Sequence, residues 1–530
     1  MQHSQPKRNY FACGLISILL ILPVLVGMTT CRKEEPNIEQ VGVAGENRTV
    51  LPVNQVLMPK GTQIPLPGQR PQALALSPDG RLLAVSGKTS ELVIIDPALG
   101  TIAQRVALPS EEQNTPLPDP PSANILEPDQ KGQVSYTGLV FSPDGSRLYL
   151  SNVNGSIKVF SVSEDGTVMP SHSILLPPAD APRRKNEIPA GLALSADGQS
   201  LYVCANLSNR LLAIDTHTNT VTQIFDVGVA PYDVRLVDGK AYVSNWGGRR
   251  PKPGDLTGPA GRGTVVKVDP VTHIANEGSV SVIDIASGST KEILVQLHSS
   301  ALAVSPDGRY VVCANAASDN LSVIDTRSDT VVETIWVKAS PADLFGASPN
   351  ALCFSPDGKR LFVTNGTQNA IAVVNFDPQD RESSLLGLIP VGWFPGAISF
   401  HTEHRILCVA NIKGLPVEPK QDRTTGGQGF NTHHYHGSVS LVPVPNRNEL
   451  KSLTESVYNN YHHERISRAS EKPRPDQPPR PVPERIGEPS VFNHVVYIIK
   501  ENRTYDQVLG DVPEGNGCLL YTSPSPRDRS

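Results

Sequence analysis

The sequence predicts an all-β fold, a seven-bladed β-propeller, followed by a linker and the first part of a truncated α/β domain. Three observations carry this expectation. A tight turn, Ser-Pro-Asp-Gly, recurs in register with short apolar strands. The 48 Pro and 42 Gly among 530 residues favour many turns over long helices. Hydrophobic residues make up 38% of the chain, which is enough for a sizeable core.

The first element is a leader. Lys7 and Arg8 precede an apolar run from Phe11 to Val26, then small residues up to Cys31 and a polar stretch, Arg32 to Asn37. That order is a secretory signal over residues 1–31, and its apolar run is too short for a comfortable membrane span. The expected location is therefore the periplasm or the cell surface. Cys31 is a candidate lipidation site, although Met28 and Thr30 stand where such signals usually carry Leu and a Gly or Ala. Cleavage near the same point and retention as an anchor are the alternatives. Membrane association is expected only through such a lipid or a retained signal.

The repeat follows, over residues 45–445. Ser77-Pro78-Asp79-Gly80 returns at Ser142 to Gly145, Ser305 to Gly308 and Ser355 to Gly358, and with Ala for Pro at Ser195-Ala196-Asp197-Gly198. A worn copy stands at Val237-Asp238-Gly239, and Phe400-His401-Thr402-Glu403 keeps only the spacing. Pro presets φ, Asp bonds the local backbone and Gly accepts positive φ, so each copy is a hairpin turn. Each turn follows an apolar strand and precedes another that ends in a small residue and usually Asn, as in Val363-Thr364-Asn365. A third strand often ends on Asp, as at Asp96, Asp215 and Asp325, and a fourth closes the unit. Four short strands per unit, at a period of ~40–70 residues, is the pattern of propeller blades, which bury their faces only by stacking. Gln63-Ile64-Pro65-Leu66 is a spare strand before the first hairpin, and the last unit lacks a fourth; the first is expected to supply the second and close the ring. These residues resemble the YVTN family of β-propeller repeats.

Two units carry long insertions between their second and third strands, Trp246 to Gly278 and Ile412 to Gly437, expected on one face of the disc as sites for a ligand or protein partner. Arg249 and Arg250 are candidate anion contacts in the first, with a solvated loop as the alternative. His433, His434 and His436 are candidate binding residues in the second, where a polar surface cluster is the alternative because nothing fixes a closed metal-ligand set. Cys204, Cys313, Cys353 and Cys408 lie in apolar runs and read as small core residues. With three Trp and no His repeated from blade to blade, quinone and copper propeller enzymes are disfavoured, and no cofactor is expected for the propeller; lactonase activity is neither assigned nor excluded. The formal charge of −5, without a basic block interleaved with aromatics, argues against nucleic acid as a partner.

Residues 446–490, rich toward the end in Pro, Arg and Glu, are expected to form a linker. Then Val495 to Ile499 reads as a buried strand, followed at once by Glu501-Asn502-Arg503-Thr504-Tyr505-Asp506. An acid directly beyond a buried strand is a candidate metal ligand, and a helix-start cap is the alternative. Within the fragment 491–517, the stretch Val495 to Asp511 resembles the opening of the phosphoesterase family that includes bacterial phospholipase C and acid phosphatases, in the alkaline phosphatase superfamily. The resemblance implies that Glu501 and Asn502 bind a catalytic divalent metal and that the substrate is a phosphate ester. It also places the nucleophile beyond the end of this chain, so the fragment is expected to be catalytically incomplete. The alternative is a non-catalytic surface-binding propeller. Residues 518–530 continue no motif and look like a non-native tail.

Overall fold

A computed structural model describes residues 41–497, apart from 88–90, 111–133, 183, 261–263 and 417–434. Seven four-stranded antiparallel sheets follow one another along the chain. Blade 1 comprises Pro71–Leu76, Leu83–Gly87, Glu91–Asp96 and Thr101–Ala107. The inner strands of blades 2 to 7 are Val134–Phe141, Pro189–Leu194, Pro231–Val237, Ser299–Val304, Pro349–Phe354 and Trp393–His401. Each inner strand contacts the next, and the seventh contacts the first, so the ring is closed around a central channel.

The burial pattern follows from stacking. In blade 3, Leu201 to Ala205 and Leu211 to Ile214 are buried on both faces, whereas the outer strand Thr220–Asp226 is largely exposed. The middle strands therefore read as continuous apolar runs. Seven apolar clusters sit between successive blades: one joins Tyr149, Ile157 and Val159 of blade 2 to Leu192, Val203 and Ile214 of blade 3. Another joins Val85 and Ile95 of blade 1 to Cys408, Val439 and Leu441 of blade 7.

The recurrent turn works as its residues predict. Ser77 Oγ donates to Asp79 Oδ1 at 2.6 Å and accepts from the Leu82 N–H at 2.9 Å, and Gly80 takes φ +76°. The same serine-to-aspartate bond recurs at Ser142, Ser195, Ser305 and Ser355. It holds the Asp79 carboxyl down at about 2. The worn copy in blade 4 is a two-residue hairpin with positive φ at both Asp238 and Gly239, matching the strand twist. In blade 7 the His401 ring replaces the serine and reaches across to Gly80 O at 3.0 Å, tying that turn to blade 1. In several blades the asparagine that ends the second strand is buried and bridges to the third strand. Asn245 donates to Ser279 and Ser281, and Asn411 to Ser438 and Ser440.

The spare strand closes the ring. Thr62–Leu66 pairs antiparallel with Tyr435–Pro443, Ile64 opposite Val439 and Gln63 opposite Ser440, as the outer strand of blade 7. The residues before it lie outside the blades: Gly42–Gly45, Arg48–Leu51 and Gln55–Leu57 form a small separate sheet whose Leu51 and Leu57 pack on Trp393.

One expectation is refined and another corrected. The segment 446–490, expected as a linker, opens with α1 (Arg447–Asn460) and α2 (His463–Ala469), whereas the Pro-rich stretch Glu471 to Pro489 holds no helix. Asn446 caps α1 by accepting from the Asn448 and Glu449 N–H groups, and Leu450 and Val457 bury the apolar side of the helix. Thr454 Oγ1 accepts the Leu388 N–H at 2.9 Å, which occupies part of the outer edge of blade 6. His463 Nε2 lies 2.8 Å from Asp343 Oδ2 and ties α2 to the connection between blades 5 and 6. The correction concerns Val495 to Tyr497, the described part of the expected buried strand Val495 to Ile499, which form no strand and are 80–84% exposed, because no described strand pairs with them.

Candidate functional site

Aligning the inner strands by their ladder partners exposes one break in the repeat. Pro71, Pro189, Pro231, Ser299, Pro349 and Pro395 are equivalent, each opposite the last residue of a second-strand core. Proline is tolerated there because it opens the strand that lines the channel. Two residues on, where seven strands converge and space is least, blades 1, 2, 3, 5, 6 and 7 carry Ala73, Gly138, Gly191, Ala301, Ala351 and Ala397. Blade 4 carries Asp233. Two residues further, it carries Arg235 where the others have Ala75, Val140, Ala193, Ala303, Cys353 and Ser399.

These two side chains line a channel cavity of about 110 Å³, together with Gln72, Thr137, Tyr232 and Asn350. Asp233 is buried, and its carboxylate is well satisfied. Oδ1 accepts the Val234 N–H at 2.9 Å and Arg235 Nη1 at 3.0 Å, while Oδ2 accepts the Leu302 N–H of blade 5 at 2.9 Å. A Cβ on Gly191 would stand 2.6 Å from Asp233 Cα, so blade 3 makes room for blade 4 by carrying glycine. Arg235 uses Nη1 on Asp233 and on Val234 O; its Nε and Nη2 make no hydrogen bond among the described residues. Burial raises the Tyr232 phenol, keeping it neutral and able to donate. No histidine lines this cavity, and the carboxylate is too fully bonded to serve as a strong base. The chemistry this arrangement supports is binding. The repeat alignment was the sequence signal for Asp233 and Arg235; it is visible only once the strands are read against one another, not as separate apolar runs.

The residues expected on the insertions occupy different settings. Arg249 makes a bidentate pair with Glu277, at 2.9 and 2.8 Å, and Lys267 joins that carboxylate at 2.6 Å. These cations hold the Glu277 carboxyl down at about 2. Arg250 donates to Val227 O and Asn209 O and pairs with Asp226 at 3.0 Å. Arg249 thus closes the insertion on itself and Arg250 ties it to the neighbouring blade 3, with the strands Thr257–Pro259 and Val265–Lys267 above a small core of Val229, Val266 and Val268. Trp246, half exposed, stacks on His298 with ring centroids 4.6 Å apart. His436 Nδ1 accepts the Gly68 N–H at 3.2 Å, next to the closing strand. His433, His434, Glu501, Asn502 and Cys31 lie outside the described residues. Among the described residues, no group of three or more His, Cys, Asp or Glu is placed to hold a metal ion. Cys204, Cys313, Cys353 and Cys408 are free thiols, three of them buried.

A family profile described as "Lactonase, 7-bladed beta-propeller" matches residues 266–392, about a quarter of the chain. No curated protein matches. Solved structures titled "Structure of U3-55K" and "Crystal structure of RRP9 WD40 repeats" are each 12% identical with a TM-score of 0.50, covering 73% of this chain and 98% of theirs. Another, "Kuenenia stuttgartiensis Hydrazine Synthase", is 16% identical with a TM-score of 0.47, covering 72% of this chain and 96% of its own. At such identities the likeness to the first two concerns architecture alone, and the seven four-stranded sheets, set in one closed ring, establish that this chain is a seven-bladed β-propeller.

Proposed function

We propose that this chain is the exported, ligand-binding propeller of a metal-dependent phosphoesterase whose catalytic domain begins near Val495. The observation that carries this reading is the apolar run Val495-Val496-Tyr497, exposed in isolation and followed by Glu501-Asn502-Arg503-Thr504-Tyr505-Asp506. Such a run requires a sheet to cover it. Glu501 and Asn502 offer carboxylate and amide oxygens, a donor set suited to a hard divalent cation. A bound cation would stabilise charge on the phosphoryl oxygens while a hydroxyl from a later part of the domain attacks phosphorus, the P–O ester bond breaks and the alcohol leaves after taking up a proton. In this reading α1 and α2 act as a strut between the two functions, because they are docked on blades 5 and 6 and not free to swing.

The test is the genomic reading frame beyond Gly517, followed by assay of the complete protein on a chromogenic phosphate ester with added divalent metal. Hydrolysis that disappears in Glu501→Ala supports the reading. A stop codon at residue 530, or an inactive full-length product, contradicts it. Export by residues 1–31 belongs to the same proposal. It is checked by the mature N-terminus, and lipidation by a lipid-modified Cys31 peptide in mass spectrometry. A second reading, a surface-binding propeller without hydrolytic activity, is favoured by the polar side chains that blade 4 brings to the channel, an arrangement suited to binding without a catalytic group.

A further inference from the structure

We infer that the central channel is a binding site for a small carboxylate, held by Arg235 with Tyr232 and Gln72. The inference deepens the reading of the propeller as a binding module and rests on it.

The departure from symmetry comes first. At positions where six blades carry Ala, Gly or other small uncharged side chains, one blade carries an acid and a base. An ion pair placed at the axis for stability alone is a poor device, because desolvation offsets most of its Coulombic gain and Ala already fits the site in the other blades. What the pair does accomplish is orientation. Asp233, fixed by two backbone N–H groups, anchors one nitrogen of Arg235 and leaves Nε and Nη2 without a partner. That free edge is the planar fork that matches a carboxylate.

The companions suit the same ligand. The Tyr232 hydroxyl and the Gln72 amide have no hydrogen-bond partner among the described residues, and both line the cavity with Arg235. Thr137 and Asn350 are already engaged, on Tyr232 O and Pro395 O. A cavity of about 110 Å³ suits an anion of a few heavy atoms. Asp233 sets the sign: with its charge already matched by Arg235, a singly charged carboxylate makes a three-group cluster, whereas a dianion meets Asp233 with excess repulsion.

The test is calorimetric titration of the full chain with acetate, lactate and inorganic phosphate at fixed ionic strength. Saturable binding of acetate or lactate is expected, weakened about tenfold in Arg235→Gln. Because Arg235→Gln also releases Asp233, a second variant is needed: Gln72→Leu leaves the pair intact and is expected to weaken lactate binding severalfold while leaving the melting temperature unchanged. Absence of saturable carboxylate binding up to about 100 mM overturns the site, as does affinity unchanged in both variants or binding of phosphate in preference to carboxylates. Failure here is separable from failure of the proposed function, whose readouts are the reading frame and hydrolysis.

Discussion

Replacing Asp233 by alanine isolates what the acid contributes to the fold, because the repeat supplies its own steric control. Ala73, Ala301, Ala351 and Ala397 occupy the equivalent place in four other blades, so a methyl group fits there without strain. The loss is then confined to three hydrogen bonds, from Val234 N–H, Leu302 N–H and Arg235. A hydrogen bond to a charged group contributes about 1.5–3 kcal/mol net. The Val234 contact is to the adjacent residue and survives poorly as an independent term, and Arg235 is 38% exposed, so its share is screened. The bond to Leu302, which staples blade 4 to blade 5 deep in the channel, carries most of the effect. The expected cost is about 2–4 kcal/mol. For a propeller of this size that corresponds to a fall of about 3–5 °C in melting temperature. Scanning calorimetry of Asp233→Ala beside Asp233→Asn, which keeps one acceptor and loses less, reads the difference. A shift below about 1 °C, or a gain in stability, would refute the claim that these bonds outweigh the desolvation of the carboxylate.

Other outcomes follow from the same physics. Leu66 is fully buried in the closing strand, so Leu66→Ala costs about 2–5 kcal/mol in urea unfolding, while Leu175→Ala on the half-exposed outer strand of blade 2 costs under about 1 kcal/mol. Glu277 has its carboxyl depressed from 4.5 to about 2 by Arg249 and Lys267, so its contribution is present above pH 4.5 and is lost as pH falls toward 2. Acid titration should accordingly release the insertion and change Trp246 fluorescence over that range, and Glu277→Gln should show the released signal already at neutral pH. Val457 is buried beneath α1, and Val457→Asp is expected to detach the helix and open residues 446–470 to limited proteolysis while the blades stay folded.

Much of this architecture is legible in the sequence, because a repeated turn has few solutions. Ser77, Asp79 and Gly80 each have one job, and five copies in register fix the hairpins. The closing role of Gln63 to Leu66 was likewise deducible, since a ring with an open edge is unstable. What was not legible is local or relational. α1 has Asn446 as a cap and Leu450, Thr454 and Val457 at helical spacing, but a helix of mostly polar residues beside a Pro-rich stretch reads as linker until blade 6 is there to cover. Arg249 and Arg250 looked like free anion contacts because their partners, Glu277 and the carbonyls of Val227 and Asn209, are distant in the chain. Asp233 and Arg235 sit inside a strand that is otherwise apolar, and only comparison across blades marks them as departures.

The most direct test of the closed ring joins its two ends covalently. Gln63 and Ser440 are directly opposite in the closing ladder, with Ser440 Oγ donating to Gln63 Oε1 at 2.7 Å. In the double variant Gln63→Cys with Ser440→Cys, mild oxidation of the native protein should give an intramolecular disulfide, seen as a faster-migrating monomer and as the linked peptides in mass spectrometry, and absent from either single variant. Failure to form it, or formation only between molecules, would show that residues 62–66 do not complete blade 7 and that the ring is not closed in this way.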